Sequence, residues 1–133
     1  MRDKIFILLI EDDADDIHLL KAALESNGIP YTMKEIMSGD EVISYLKSCN
    51  ELPHVIVLDL NLPKMHGKEV LKAIKEEDSL HKIPLMVLTT SNALEDKDFC
   101  LKLGANSFIT KPTTQEEFNS IITTLVSLTS EKG

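Results

Sequence analysis

The chain has 133 residues, enough for one domain with a sizeable core and too few for two ordinary ones, so a single domain over 1–133 with no attached output module is expected. Lys and Arg number 14 against 22 Asp and Glu, a net charge of -8, and Arg2 is the only arginine; such a chain repels phosphate backbones and anionic membranes and lacks the bidentate base reader, which argues against direct nucleic-acid or membrane binding. With 43% hydrophobic and 27% charged residues the composition excludes disordered and fibrous chains.

In chain order, the first apolar run is Ile5-Phe6-Ile7-Leu8-Leu9-Ile10, which Glu11-Asp12-Asp13 cuts off. It is too short for a signal peptide or a membrane span and reads as a strand, so a cytoplasmic protein is expected. A helix follows with Ile17, Leu20 and Leu24 on one face and a stop at Asn27-Gly28. After Pro30 a weaker strand is predicted over 31–37. Ser38-Gly39-Asp40-Glu41 has the pattern of a capping box, in which hydroxyl and carboxylate each satisfy a free backbone N–H, and predicts the start of a second helix.

Val55-Ile56-Val57-Leu58 is the third strand, followed by a helix presenting Val70, Leu71 and Ile74. Leu85-Met86-Val87-Leu88 is the fourth, and its helix begins near 92–95 and closes before Gly104. A fifth strand spans 106–110, and a second capping box, Thr114 with Glu117, opens a last helix carrying Phe118, Ile121, Ile122, Leu125 and Leu128. Cys49 and Cys100 have no paired-ligand spacing, and His18, His54, His66 and His81 are scattered as surface or core-edge residues are.

Strands that are apolar on both sides are buried on both faces, the habit of a parallel sheet covered by helices. Five alternating strand–helix units therefore predict an α/β doubly wound sandwich, in which ligands bind beyond the carboxyl ends of the strands. Those ends carry Glu11 and Asp12, Asp59, Thr89 and Lys111. Any one polar residue there is explained by a strand reaching the surface; the set is not. Three carboxylates in one pocket disfavour each other's charged forms, and a divalent cation resolves the conflict. Oxygen-only ligands with open positions suit Mg²⁺. A carboxylate beside that ion can attack phosphorus and form an acyl phosphate, with Thr89 donating to one phosphoryl oxygen and Lys111 pairing with another.

The residues Ile7-Leu8-Leu9-Ile10-Glu11-Asp12-Asp13, Val57-Leu58-Asp59-Leu60-Asn61-Leu62-Pro63-Lys64-Met65-His66-Gly67, Leu88-Thr89-Thr90 and Gly104 to Pro112 resemble, in order and spacing, the receiver domain of two-component response regulators. The resemblance implies a flavodoxin-like (βα)5 fold with a five-stranded parallel sheet in the order 2-1-3-4-5. It implies that Asp59 accepts a phosphoryl group from a sensor histidine kinase or a phosphotransfer protein in a phosphorelay. Mg²⁺ would be held by Asp59, Asp12, Glu11 and the backbone carbonyl of Asn61, and Thr89 and Phe108 would form a switch altering the face of the fourth helix, fifth strand and fifth helix. The chain would promote only its own phosphorylation and dephosphorylation, not act as an enzyme on a separate substrate.

The resemblance further implies a cis Lys111–Pro112 bond. His66, where the family often has an acidic or amide residue, and Phe108, in place of the commoner tyrosine, depart from the pattern. The wording Val87-Leu88-Thr89-Thr90-Ser91 is similar to the small stand-alone receivers that accompany phytochrome-like kinases and implies a possible homodimer. Three rivals stay open at this stage: a haloacid-dehalogenase-like Mg²⁺-dependent phosphatase, which wants an acid where Asn61 stands; a flavodoxin-like electron carrier, whose phosphate the acidic first loop would repel; and a receiver fold used only as an interaction module, expected to lack Asp59 or Lys111.

Overall fold

The three apolar runs become the buried centre of a parallel sheet, and weaker strands flank them. The computed structural model describes residues 4–63 and 65–129. Among these the order is β1 (Ile5–Ile10), α1 (Ala14–Ser26), β2 (Tyr31–Ile36), a 3-10 turn (Gly39–Glu41), α2 (Val42–Ser48), β3 (Val55–Leu58), α3 (Gly67–Glu76), β4 (Leu85–Thr89), α4 (Leu94–Leu103), β5 (Ser107–Thr110) and α5 (Gln115–Thr129). The strands run parallel in the order β2-β1-β3-β4-β5, so the expected doubly wound, flavodoxin-like topology is the one observed.

Alternation along each central strand feeds two cores. Ile7, Leu9, Val55, Val57, Met86 and Leu88 pack against Ile17, Leu20 and Leu24 of α1 and Phe118, Ile121, Ile122 and Leu125 of α5. On the other face Leu8, Ile10, Ile56, Leu58, Leu85 and Val87 meet Val42 and Leu46 of α2, Val70, Leu71 and Ile74 of α3, and Cys100 of α4. Fully burying one such Leu or Ile contributes about 2 kcal/mol, which is why these runs carry no polar residue. Edge strand β2 alternates instead, with Thr32 and Lys34 in solvent, and this diluted its apolar signal.

Register decides what leaves the sheet together. Ile10 is level with Leu58, so Glu11 and Asp59 emerge side by side, and the Asp59 N–H donates to the Ile10 carbonyl at 3.0 Å. Thr89 is level with Thr110, and the Lys111 N–H donates to the Thr89 carbonyl at 2.7 Å.

Helix ends show where local pattern held and where it did not. Helix α1 is capped by Asp13, whose Oδ1 accepts from the Asp15 and Asp16 N–H groups at 2.9 and 3.3 Å, and stops as expected before Gly28, which takes φ +68. Thr114 Oγ1 accepts from the Glu117 N–H at 3.2 Å, but Glu117 Oε1 accepts from Thr113 rather than Thr114, at 2.9 Å.

The capping box at Ser38 does not form. Its hydroxyl donates to the Asp40 carboxylate, no side chain caps the turn, and the α-helix starts only at Val42. The cause is tertiary. Gly39 lies under the loop after β3, so close that a Cβ there would sit 2.3 Å from the Met65 carbonyl oxygen, and the first turn tightens to 3-10 geometry. The Lys111–Pro112 bond, implied to be cis, is trans, as all described peptide bonds are. The two isomers of an X–Pro bond differ by only about 0.5–1 kcal/mol, so the dipeptide does not choose between them.

Both cysteines are free. His54 Nδ1 accepts from the Phe6 N–H at 2.8 Å, a core-edge role in keeping with expectation. No described helix is long and apolar enough to cross a membrane.

Candidate functional site

Beyond the carboxyl ends of β1, β3 and β5, two buried carboxylates and one lysine meet. Glu11 and Asp59 are 3% and 4% exposed, which for ionisable groups requires partners. Lys111 Nζ supplies them, lying 2.8 Å from Glu11 Oε1, 2.6 Å from Asp16 Oδ2 and 3.3 Å from Asp59 Oδ2. Glu11 is further oriented by the Asp13 N–H, which donates to its Oε2 at 3.2 Å, and Asp59 by the Asn61 N–H, which donates to its Oδ1 at 3.2 Å.

The electrostatics follow from this packing. Burial, opposed by the Lys111 hydrogen bond and reinforced by the Asp59 charge, pushes the Glu11 carboxyl from 4.5 up to about 7. Burial also disfavours the Lys111 ammonium, but its bonds to Asp16 and Glu11 and the charges of Glu11 and Asp59 outweigh that and hold its pKa above the ordinary lysine range. The lysine stays cationic while the carboxylates compete for it.

Asp12, one residue past Glu11, is exposed. Glu11, Asp12 and Asp59 each offer a carboxylate oxygen, and these atoms lie within 4.8 Å of one another. The donor set fits a hard divalent cation: oxygen only, two ligands seated in the fold, and a third open to water. An acidic cluster able to hold such an ion is thus present where the strand ends predicted it.

The backbone of the loop after β3 is held by one close approach. A Cβ on Gly67, the first residue of α3, would fall 2.4 Å from the Leu60 Cα and 2.5 Å from the Asp59 carbonyl oxygen, so only glycine lets α3 start against the residue that bears the carboxylate. The Gly67 N–H donates to the Leu60 carbonyl at 2.8 Å. His66 caps α3 by accepting from the Lys68 N–H at 3.0 Å through Nδ1, which accounts for a histidine where an acid or amide is commoner.

Thr89, fully buried at the end of β4, accepts from the Ser91 N–H at 3.4 Å through Oγ1. It does not hydrogen-bond to Asp59 or Lys111 through its side chain. Phe108 is half-buried on β5 against the core shared with α3 and α4. The Asn61 side chain donates to Thr90 Oγ1 at 3.3 Å. Asp16 is a site residue that the strand-end pattern does not reach, because it lies on the first turn of α1. Its spacing of four from Asp12 was the available signal, but only the fold shows that it reaches Lys111.

Comparison with known proteins decides what this arrangement belongs to. The model of the response regulator receiver domain matches residues 7–123. The chain belongs to the response regulator receiver family. Response regulator Rcp1 of Synechocystis sp. (strain ATCC 27184 / PCC 6803 / Kazusa) is 36% identical over 110 residues, covering 79% of this chain and 75% of Rcp1. The probable methanogenesis regulatory protein FilR2 of Methanothrix harundinacea (strain 6Ac) is 33% identical over 124 residues, covering 90% and 80%.

Among solved structures, the phosphorylated cyanobacterial phytochrome response regulator RcpA superimposes with a TM-score of 0.86 at 32% identity, covering 98% of this chain and 96% of RcpA. The Mn²⁺-bound form of Rcp1 gives 0.84 at 30%, covering 97% and 96%. As a receiver domain the protein has a signalling role in two-component systems, where such domains accept phosphoryl groups and interact with histidine kinases or phosphotransfer proteins. The phosphatase reading is not favoured.

Proposed function

We propose that the receiver accepts its phosphoryl group on Asp59. The observation that carries this reading is the buried Asp59 carboxylate facing Lys111 Nζ at 3.3 Å with two further carboxylates beside it. In the transfer an Asp59 Oδ attacks phosphorus in line. The O–P bond forms as the N–P bond of a phosphohistidine breaks, and its electron pair stays on the departing imidazole. Lys111 pairs with one phosphoryl oxygen and the Thr89 hydroxyl donates to another. Glu11, Asp12, Asp59 and the Asn61 carbonyl are the ligands we assign to Mg²⁺, which when bound supplies charge neutralisation for the transferring group. Its seat is supported by the oxygen-only cluster and by the Mn²⁺-bound form of Rcp1.

The donor we infer is a phytochrome-type sensor kinase or its phosphotransfer partner, a reading supported by the likeness to RcpA. Phe108 turning against the α4 face would then carry the signal outward to a protein partner. A second copy docking on that face is supported by Leu94, Phe99 and Leu101, which α4 leaves exposed. The pure interaction-module reading is weakened by retention of both Asp59 and Lys111, and we assign the chain as a regulator acting in the cytoplasm without an enzymatic turnover of its own.

Incubation with acetyl phosphate and Mg²⁺ followed by intact-mass measurement tests the assignment. The wild type gains one phosphoryl group and Asp59→Asn gains none. Equal labelling of the two would sink it, and sustained release of phosphate from monoesters would favour a phosphatase instead.

A further inference from the structure

Ser91, two residues beyond Thr89, is a junction of four hydrogen bonds. Its N–H donates to Thr89 Oγ1 at 3.4 Å, its Oγ donates to Asp96 Oδ2 at 2.5 Å and accepts from the Ala93 N–H at 3.3 Å, and its carbonyl accepts from Thr110 Oγ1 at 3.4 Å. Ala93 stands at the N-cap of α4 and brings no capping side chain. The Ser91 hydroxyl takes up the Ala93 N–H instead, and the Asp96 carboxylate that it donates to lies in the first turn, where the helix dipole favours negative charge.

Asp96 continues the chain. Its Oδ1 pairs with Lys68 Nζ, which lies 5.2 Å from the centroid of the Phe99 ring. The Lys68 and Ser91 hydrogen bonds hold the Asp96 carboxyl below the ordinary carboxylate range, and the Asp96 bond raises the Lys68 ammonium above its own. Lys68 follows Gly67, which is packed on the Asp59 backbone. The path from Asp59 through Gly67, Lys68, Asp96 and Ser91 therefore returns to Thr89 and ties the two sides of the site together across α3 and α4.

A lone surface ion pair contributes little, but this one is embedded in charge-assisted hydrogen bonds that orient a backbone amide. The amide matters because Thr89 Oγ1 accepts from it and keeps its own hydrogen free to donate. At 3.4 Å that contact is near the long limit for a hydrogen bond, so a small displacement of Ser91 breaks it.

We propose that Asp96, acting through Ser91, is a positioning residue that holds the Thr89 hydroxyl as a donor toward the phosphoryl group, with Lys68 coupling that donor to the seating of α4 on α3. The inference rests on the assignment of Asp59 as phosphoacceptor. The test is the initial rate of labelling of the full chain by acetyl phosphate with Mg²⁺, read by intact mass.

Asp96→Ala and Ser91→Ala are expected to lose about fivefold, the scale of one hydrogen bond, while Asp96→Asn, whose amide oxygen still accepts from Ser91, loses at most about twofold. In a Thr89→Ala background, Asp96→Ala is expected to change the rate by less than about twofold, because the group it positions is gone. The same fivefold loss in that background, or a rate for Ser91→Ala equal to wild type, overturns the proposal. Should Asp96→Ala fail to fold, Ser91→Ala with and without Thr89→Ala reads the same coupling. Labelling of Asp59→Asn at the wild-type rate overturns the underlying assignment as well, whereas labelling confined to Asp59 with an additive cycle overturns the positioning role alone.

Discussion

Lys111 Nζ is the point on which Glu11, Asp16 and Asp59 converge, and the balance there sets the chemistry of the site. One ammonium faces more than one carboxylate, so a divalent cation adds stability by binding the folded state alone. At about 100 times its Kd such a ligand contributes about 2.7 kcal/mol. Adding Mg²⁺ is therefore expected to raise the melting temperature of the wild type, chelation to reverse it, and Asp12→Ala to lose most of the effect. An equal rise in that variant would mean that the ion stabilises the protein elsewhere. At Asp96 the carboxyl is held below its ordinary 3.8 by Lys68 and Ser91. A depressed folded pKa contributes stability that is full above the unfolded value and lost as pH falls through the folded one. The melting-temperature gap between wild type and Asp96→Asn should thus stay flat from about pH 8 to about pH 5 and close only in more acid solution. A gap that closed near neutrality would point to histidine titration.

Elements seat those residues, and two glycines show the two different reasons for lacking a side chain. At Gly67 the obstacle is space, with a Cβ 2.4 Å from the Leu60 Cα, and backbone does not yield as a flexible side chain would. Gly67→Ala is expected to cost about 1–3 kcal/mol by overpacking and to weaken metal-dependent labelling, since α3 must move off Asp59. At Gly28 the surroundings are open and the obstacle is φ +68. Gly28→Ala should cost about 1–2 kcal/mol without altering labelling. Thermal melts and labelling rates of the two variants separate the cases. Most elements were legible from period and punctuation, because α1, α3 and α5 each carry an apolar face, and Asn27-Gly28, Gly104 and Thr114 with Glu117 mark helix ends. The second helix was misread because Ser38-Gly39-Asp40-Glu41 is a valid local cap, and nothing local reveals the Met65 carbonyl lying over Gly39.

At the scale of the whole molecule, the sheet separates two cores, and the face we propose for signalling lies on the side where α4 contributes only Cys100 as a fully buried residue. A helix so lightly anchored, with Leu94 70% exposed, can shift at small cost and present apolar surface to a partner. Sedimentation velocity over a concentration series, with and without acetyl phosphate, is expected to show a dimer that Leu94→Glu together with Leu101→Glu abolishes while labelling of Asp59 persists. A monomer at all concentrations would remove the second copy as occupant of this face.

The sequence by itself determined the alternation of strands and helices, the doubly wound class and the identity of Glu11, Asp12, Asp59, Thr89 and Lys111 as strand-end residues, because apolar runs, period and the location rule for ligands in open parallel sheets are all local or topological. Only the tertiary structure decided which of these touch. Side-chain reach across parallel strands depends on register and helix packing, and so the Lys111 contact with Asp16, the Ser91 N–H bond to Thr89, the trans Lys111–Pro112 bond and the path from Ser91 to Lys68 lay beyond any pattern of residues along the chain.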